Sequence, residues 1–189
     1  MKTATTSITQ TAGKFLLSLL TLLALANVAA AAEMSADEKE IRALFQTVTD
    51  GYRQRDPDAA MSPYMKDDRL VLFDIPPPRK VTGYAGSLRS TKDYMASTEG
   101  PLVAEYSDVH VKADKKYAYA HSLMRLAGTF KGGKKFEFLI RVSDGLEKIN
   151  GKWLIVHEHS SLPVDLRTNT AVLDAPATGA SGDYELGPK

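Results

Sequence analysis

The stretch Phe136 to Ser161 reads FEFLIRVSDGLEKINGKWLIVHEHSS, and its reading decides the fold. Two runs of strand-like alternation flank Asn150-Gly151. Asn-Gly between such runs is the strongest short-range signal for a β-hairpin, because a type I′ turn needs positive φ at both central residues. A two-residue turn pairs Ile149 with Lys152, and therefore Asp144 with His157, Val142 with His159 and Ile140 with Ser161. Side chains alternate between the faces of a strand. One face then carries Phe136, Phe138, Ile140, Val142, Asp144 and Leu146 beside Trp153, Ile155, His157 and His159. It is an apolar face with two imidazoles and a carboxylate set into it. The opposite face places Arg141 diagonal to Glu158, the arrangement of a surface or interface ion pair.

Upstream, Lys131-Gly132-Gly133-Lys134 reads as a second two-residue turn. It pairs Arg125 with Ile140, Leu123 with Val142 and His121 with Asp144. Three strands then align His121, Asp144 and His157 in one row, with His159 in the next row and Arg125 in the row after it. Cross-strand neighbours lie about 5 Å apart at Cβ. A carboxylate between two imidazoles fixes their tautomers and makes a proton-transfer pair that works near neutral pH. Arg125 in such a face can hold an anionic or enolate oxygen. The same residues can equally form a hydrogen-bonded network that only satisfies buried polar groups, and a single β-bulge would break the row. Two histidines and an acid are also a metal-binding set, but no local ligand spacing accompanies them. The expectation is no metal and no cofactor. Trp153 reads as core or as one wall of a pocket.

Outward from this centre, Tyr117 to Phe130 and Leu102 to Ala113 read as two more antiparallel strands. Before them the pattern is helical. Ser35 to Glu38 is a capping box, and Ile41, Leu44, Phe45, Val48 and Tyr52 recur on one helical stripe to about Arg55. Asp56-Pro57 restarts a short helix, expected to reach Tyr64. Arg69 to Phe73 is a short strand. Asp74 opens a loop that Pro76, Pro77 and Pro78 keep irregular, and a third helix follows Thr82 or Gly83. Helices followed by a run of strands indicate an α+β domain with the helices covering one face of a curved sheet.

The ends carry other information. Lys2 and Lys14 precede an apolar run, Phe15 to Ala26, and the small residues Ala29 to Ala32 follow. This is the pattern of a cleavable signal peptide over residues 1–32. The apolar run is shorter than the about 20 residues that span a bilayer. Export to the periplasm or beyond is expected, with no membrane attachment after cleavage. The chain of 189 residues has no cysteine, hence no disulfide and no thiol nucleophile. Losing Lys2 and Lys14 leaves 22 basic against 23 acidic residues, a formal charge of −1. That balance argues against nucleic acid as a partner. Residues 33–165 read as one domain and 166–189, rich in small residues towards the end, as a flexible tail.

Three features are similar to one family: Arg55-Asp56-Pro57-Asp58 after the first helix, Phe73-Asp74-Ile75-Pro76-Pro77 before a glycine-initiated helix, and Asn150 to Pro163 (NGKWLIVHEHSSLP). Together they resemble the SnoaL-like group of the nuclear transport factor 2 superfamily, which also holds the ketosteroid isomerases. The resemblance covers about Ser35 to Asp165. It implies a cone-shaped barrel of curved, mainly antiparallel sheet, about three helices packed on its concave face, and a pocket for a small hydrophobic molecule. It also implies a homodimer. Ketosteroid isomerases use an aspartate base, a tyrosine and a protonated aspartic acid. Asp74 falls near the place of the base, Tyr52 could resemble the tyrosine, and Asp144 is the nearest carboxylate to the third group. The function so implied is cofactor-independent proton transfer on a small carbonyl compound, by an isomerase, dehydratase or cyclase. The alternative is a non-catalytic binding or assembly domain.

Overall fold

The computed structural model describes residues 34–173; the segment 1–32 read as a signal peptide and the end of the tail lie outside the described residues. Helix α1 spans Ala36–Gln54 and buries Ile41, Phe45 and Val48, the predicted stripe. Gly51 on the same stripe allows a close approach: a Cβ there would stand 2.3 Å from the backbone nitrogen of Ala60. Arg55 turns the chain in the left-handed region, φ 56°. Its guanidinium donates to the carbonyls of Met95, Thr98 and Gly100, tying the end of α1 to later chain. Helix α2 is one turn, Pro57–Ala60, capped by Asp56, which accepts from the amides of Asp58 and Ala59 at 3.0 Å. It stops well short of Tyr64. There the chain instead lies alongside the sheet, with Met65 N donating to Ile155 O and Ile155 N donating to Pro63 O.

Strands β1 (Val71–Phe73) and β2 (Val81–Thr82) flank the proline loop, and α3 spans Tyr84–Ala96. Four long strands follow: β3 (Thr98–Ala113), β4 (Tyr117–Phe130), β5 (Lys135–Ile149) and β6 (Lys152–Ser161). The six-stranded sheet has the order β2-β1-β6-β5-β4-β3, antiparallel except where β1 runs parallel to β6. The sheet is curved but open, not a closed barrel. Its inner face meets α1 in a core of Ile41, Phe45, Leu146, Trp153, Ile155 and Ala120. Full burial of each large apolar side chain contributes roughly 1.5–3 kcal/mol. Regular structure continues past Asp165, into the segment read as a flexible tail. Strands β7 (Val164–Asp165) and β8 (Thr170–Ala171) form a small hairpin, and Leu139 N donates to Leu173 O.

Two local features change the register read from the alternation. The Asn150-Gly151 turn pairs Ile149 with Lys152 as expected, but β6 carries a bulge at Val156, so that Gly145 opposes His157 and Asp144 opposes Glu158. The β4–β5 loop has three residues, Lys131 to Gly133, closed by Phe130 N to Lys134 O, with φ 96° at Gly132 and 84° at Gly133. Ala120, not His121, therefore opposes Asp144. A one-residue slip moves every subsequent side chain to the other face.

Candidate functional site

The corrected register gives an inner row across five strands: Val111, Ala120, Asp144, Glu158 and Leu72. Two acids therefore stand side by side on the apolar face. Asp144 is 1% exposed, and neither carboxyl oxygen has a hydrogen-bond partner among the described residues. Burial raises its pKa well above the usual carboxylate range, and the charge of Glu158 adds to this. Glu158 is half-buried and better served. Tyr64 Oη donates to Oε2 at 2.5 Å and Ser160 Oγ to Oε1 at 3.3 Å. Burial still raises its pKa and Asp74 raises it further, while the Tyr64 and Ser160 bonds pull it down. The donors lie on Glu158 and favour its ionised form, while Asp144 has no such donor.

Tyrosines surround the pair. Tyr64 reaches it through its single parallel bridge to Ile155. Tyr52 of α1 and Tyr106 of β3 are pushed up in pKa by burial and, next, by the charge of Glu158. Asp74 sits at the end of β1, exposed, with Ile75 N donating to Oδ1 at 2.7 Å. Desolvation raises its pKa, and its charge reaches Glu158, Tyr52 and Tyr94. Tyr106 also lines a cleft of about 240 Å³ between α1 and β3, with Phe45, Thr49 and Val109. The larger hollow, about 440 Å³, includes Phe73, Val156 and His157 and touches neither acid.

The predicted His121–Asp144–His157 row is not formed. His121 is on the outer face, exposed, its ring stacked on His110 at 4.9 Å. The bulge turns His157 and His159 outward as well. Both rings meet the edge of Phe73, at 5.1 and 5.6 Å, and His157 Nδ1 donates to Val71 O at 2.8 Å. Arg125 is also outward, paired with Glu137 at 2.7 Å and Glu105 at 3.3 Å, so it offers no oxyanion contact inside. Trp153 is core rather than pocket wall: 1% exposed, with Nε1 donating to Asp37 at 3.0 Å. Tyr52, Asp74 and Asp144 remain around the interior. Among the described residues no group of three or more metal-ligating side chains converges.

The sequence reading missed Glu158, Tyr64 and Tyr106. It had set Glu158 on the outer face, diagonal to Arg141. A lone glycine inside a strand pattern is the usual mark of a bulge. Gly145, which stands at the register shift, carried that signal.

A family model described as the SnoaL-like domain matches residues 41–165. The chain belongs to the SnoaL-like family. An NTF2-like protein of unknown function from Pseudomonas putida KT2440 is similar to this SnoaL-like chain at 30% identity and TM-score 0.67, covering 76% of this chain and 99% of that one. A proposed calcium/calmodulin dependent protein kinase II association domain from Xanthomonas campestris is similar at 25% identity and TM-score 0.56, covering 70% and 91%. A proposed dehydratase of the NTF2-like family from Streptomyces avermitilis shares the fold, with 15% identity, TM-score 0.57 and coverage of 65% and 93%. Comparison with curated proteins finds no match. Within the SnoaL-like frame, Asp144 and Glu158 stand side by side, and burial raises the pKa of both and of Asp74.

Proposed function

We propose that the chain is a cofactor-independent enzyme that moves protons on a small hydrophobic carbonyl compound, as an isomerase, dehydratase or cyclase. The observation that carries this reading is Asp144, buried with both oxygens unpaired, beside Glu158 and its Tyr64 bond. A buried carboxyl with no partner of its own is a hydrogen-bond donor available to a substrate oxygen. Asp144 donates to the developing oxyanion, with the phenol of Tyr52 as second donor. Asp74 takes the proton from carbon, since a raised pKa makes it a stronger base near neutral pH. Glu158, fixed by Tyr64 and Ser160, keeps the proton on Asp144.

Deuterium exchange α to the carbonyl in a panel of cyclic ketones, followed by NMR, tests the proposal. The chain is expected to accelerate exchange in at least one ketone, and Asp74→Asn and Asp144→Asn to lower that rate by about 10²–10⁴-fold. Exchange unaffected by either substitution, or no acceleration across the panel, overturns it. Similarity to the proposed kinase association domain supports a second reading, a non-catalytic assembly or binding domain. In that case ligands bind without exchange. Residues 1–32 support export, which the mass of the chain recovered from a periplasmic fraction checks. Exposed Tyr117, Tyr119 and Phe73 support a homodimer through the sheet, checked by sedimentation.

A further inference from the structure

We infer that His110 and His121, on the outer face of the sheet, form a binding site for a divalent transition-metal ion. The pair lies on the opposite face from the acids, so the inference stands apart from the proton-transfer reading. Strand register brings the two residues together. β3 carries a bulge between Ser107 and His110, with Asp108 in the left-handed region at φ 49°. The extra residue sets His110 directly opposite His121 of β4. Cross-strand partners stand about 5 Å apart at Cβ, within reach of a single ion. Both side chains are exposed, and their rings lie 4.9 Å apart between centroids and within 19° of parallel. The other two histidines of the chain, His157 and His159, pack on Phe73 instead.

Asp108 prepares one of the rings. Its Oδ1 lies 2.9 Å from His110 Nε2. A carboxylate only accepts, so Nε2 carries the hydrogen, and Nδ1 of the neutral ring keeps its lone pair for a metal. Metal-bound histidines are oriented in this way, by a carboxylate on the nitrogen that does not ligate. Zn–N bonds of about 2.0–2.1 Å at a tetrahedral angle place two ligating nitrogens about 3.3 Å apart. Near-parallel rings at the observed spacing reach that separation by rotation about χ2, whose wells are broad for histidine, with no movement of the backbone. Imidazoles suit copper(II), nickel(II) and zinc(II), and not magnesium or calcium, which take oxygen ligands. Among the described residues no third such side chain converges with the pair, so water completes the coordination sphere.

The test titrates copper(II), nickel(II), zinc(II), calcium and magnesium chlorides calorimetrically into the chain, purified without an affinity tag, at pH 7.5. One transition ion per chain is expected, with copper(II) bound tighter than nickel(II) or zinc(II), and no binding of calcium or magnesium. His110→Gln and His121→Gln should each weaken copper(II) by about 10²-fold, because the second imidazole acts as an intramolecular partner. Asp108→Asn should weaken it by about tenfold, and His159→Gln should leave it where it was. The unaltered chain provides a second measure that needs no variant. Substoichiometric copper(II) should broaden the imidazole proton signals of His110 and His121 in NMR before those of His157 and His159. Copper(II) binding that survives both His110→Gln and His121→Gln, or falls as far in His159→Gln, overturns the inference. Broadening that begins at His157 or His159 overturns it too, as does failure of every transition ion to bind.

Discussion

Replacing Asp144 by leucine should make the protein more stable. The two methyl groups of leucine branch where the two carboxyl oxygens do, so the shape is nearly kept. In the native chain these oxygens are buried and unpaired, beside a second acid. Leaving a buried polar group unsatisfied costs about 1–3 kcal/mol, and replacing it by an apolar group of the same shape recovers that amount. For a chain of this size the gain is a rise in Tm of roughly 2–4 °C per kcal/mol. The sign of its pH dependence follows from linkage. The folded pKa of Asp144 lies above its unfolded value, so the native state binds more protons and loses stability as pH rises. Below the unfolded pKa, about 4, the acid is protonated in both states and this penalty is absent. The advantage of Asp144→Leu should therefore be smallest at pH 4, where only the unsatisfied neutral carboxyl counts, and grow with pH until pH passes the folded pKa. Urea unfolding followed by the fluorescence of Trp153, the one tryptophan and a buried one, measures it. A variant that is less stable than the parent at pH 8, or whose advantage does not change between pH 4 and pH 8, refutes the reasoning. Loss of ligand binding alongside gained stability is the expected trade.

Gly51→Ala should destabilise by about 1–3 kcal/mol in the same urea assay, because the new Cβ strikes the backbone of α2, which cannot move as a side chain can. Tyr64→Phe removes the phenol donor from Glu158 and should cost about 1.5–3 kcal/mol. It should also raise the Glu158 pKa further, visible in the carboxyl ¹³C titration. His157→Ala should cost about 1 kcal/mol through the lost bond to Val71 O, and leave ligand affinity unchanged in calorimetry. Arg125→Ala should shift neither ligand affinity nor the urea midpoint appreciably, since its ion pairs are exposed.

These expectations invert the residue list that alternation alone suggests, and the reason is particular. The element types were legible: the stripe of α1, the Asp56-Pro57 restart, the Asn150-Gly151 turn and the strand Tyr117 to Phe130 all stand as read. Two one-residue events were not. Period-two patterns carry no information about a bulge unless a glycine marks it, and Gly145 is that mark here. A Gly-Gly pair likewise fits a two-residue or a three-residue loop, and each sets a different parity for β4. The apolar face still reads correctly up to Ile155 because the bulge follows it. Beyond Val156 the residues His157, Glu158 and His159 exchange faces.

That exchange decides the chemistry. With the histidines inside, the site would titrate near neutrality through imidazole. With Glu158 inside, it is built of carboxyls and phenols. Their protonation is then set by burial and mutual repulsion rather than by intrinsic pKa. A bulge at a site-forming strand re-aims side chains at the expense of ladder regularity, and Val156 is the residue that does so here. Deleting Val156 removes the extra residue but leaves Gly145 opposite His157 and Asp144 opposite Glu158, so the acid pair should stay on the inner face. A deletion variant that folds is therefore expected to keep the two neighbouring carboxyls titrating above the usual range in ¹³C NMR, and a return of both to the ordinary carboxylate range would show that the bulge itself, and not the pairing beyond it, buries the acids.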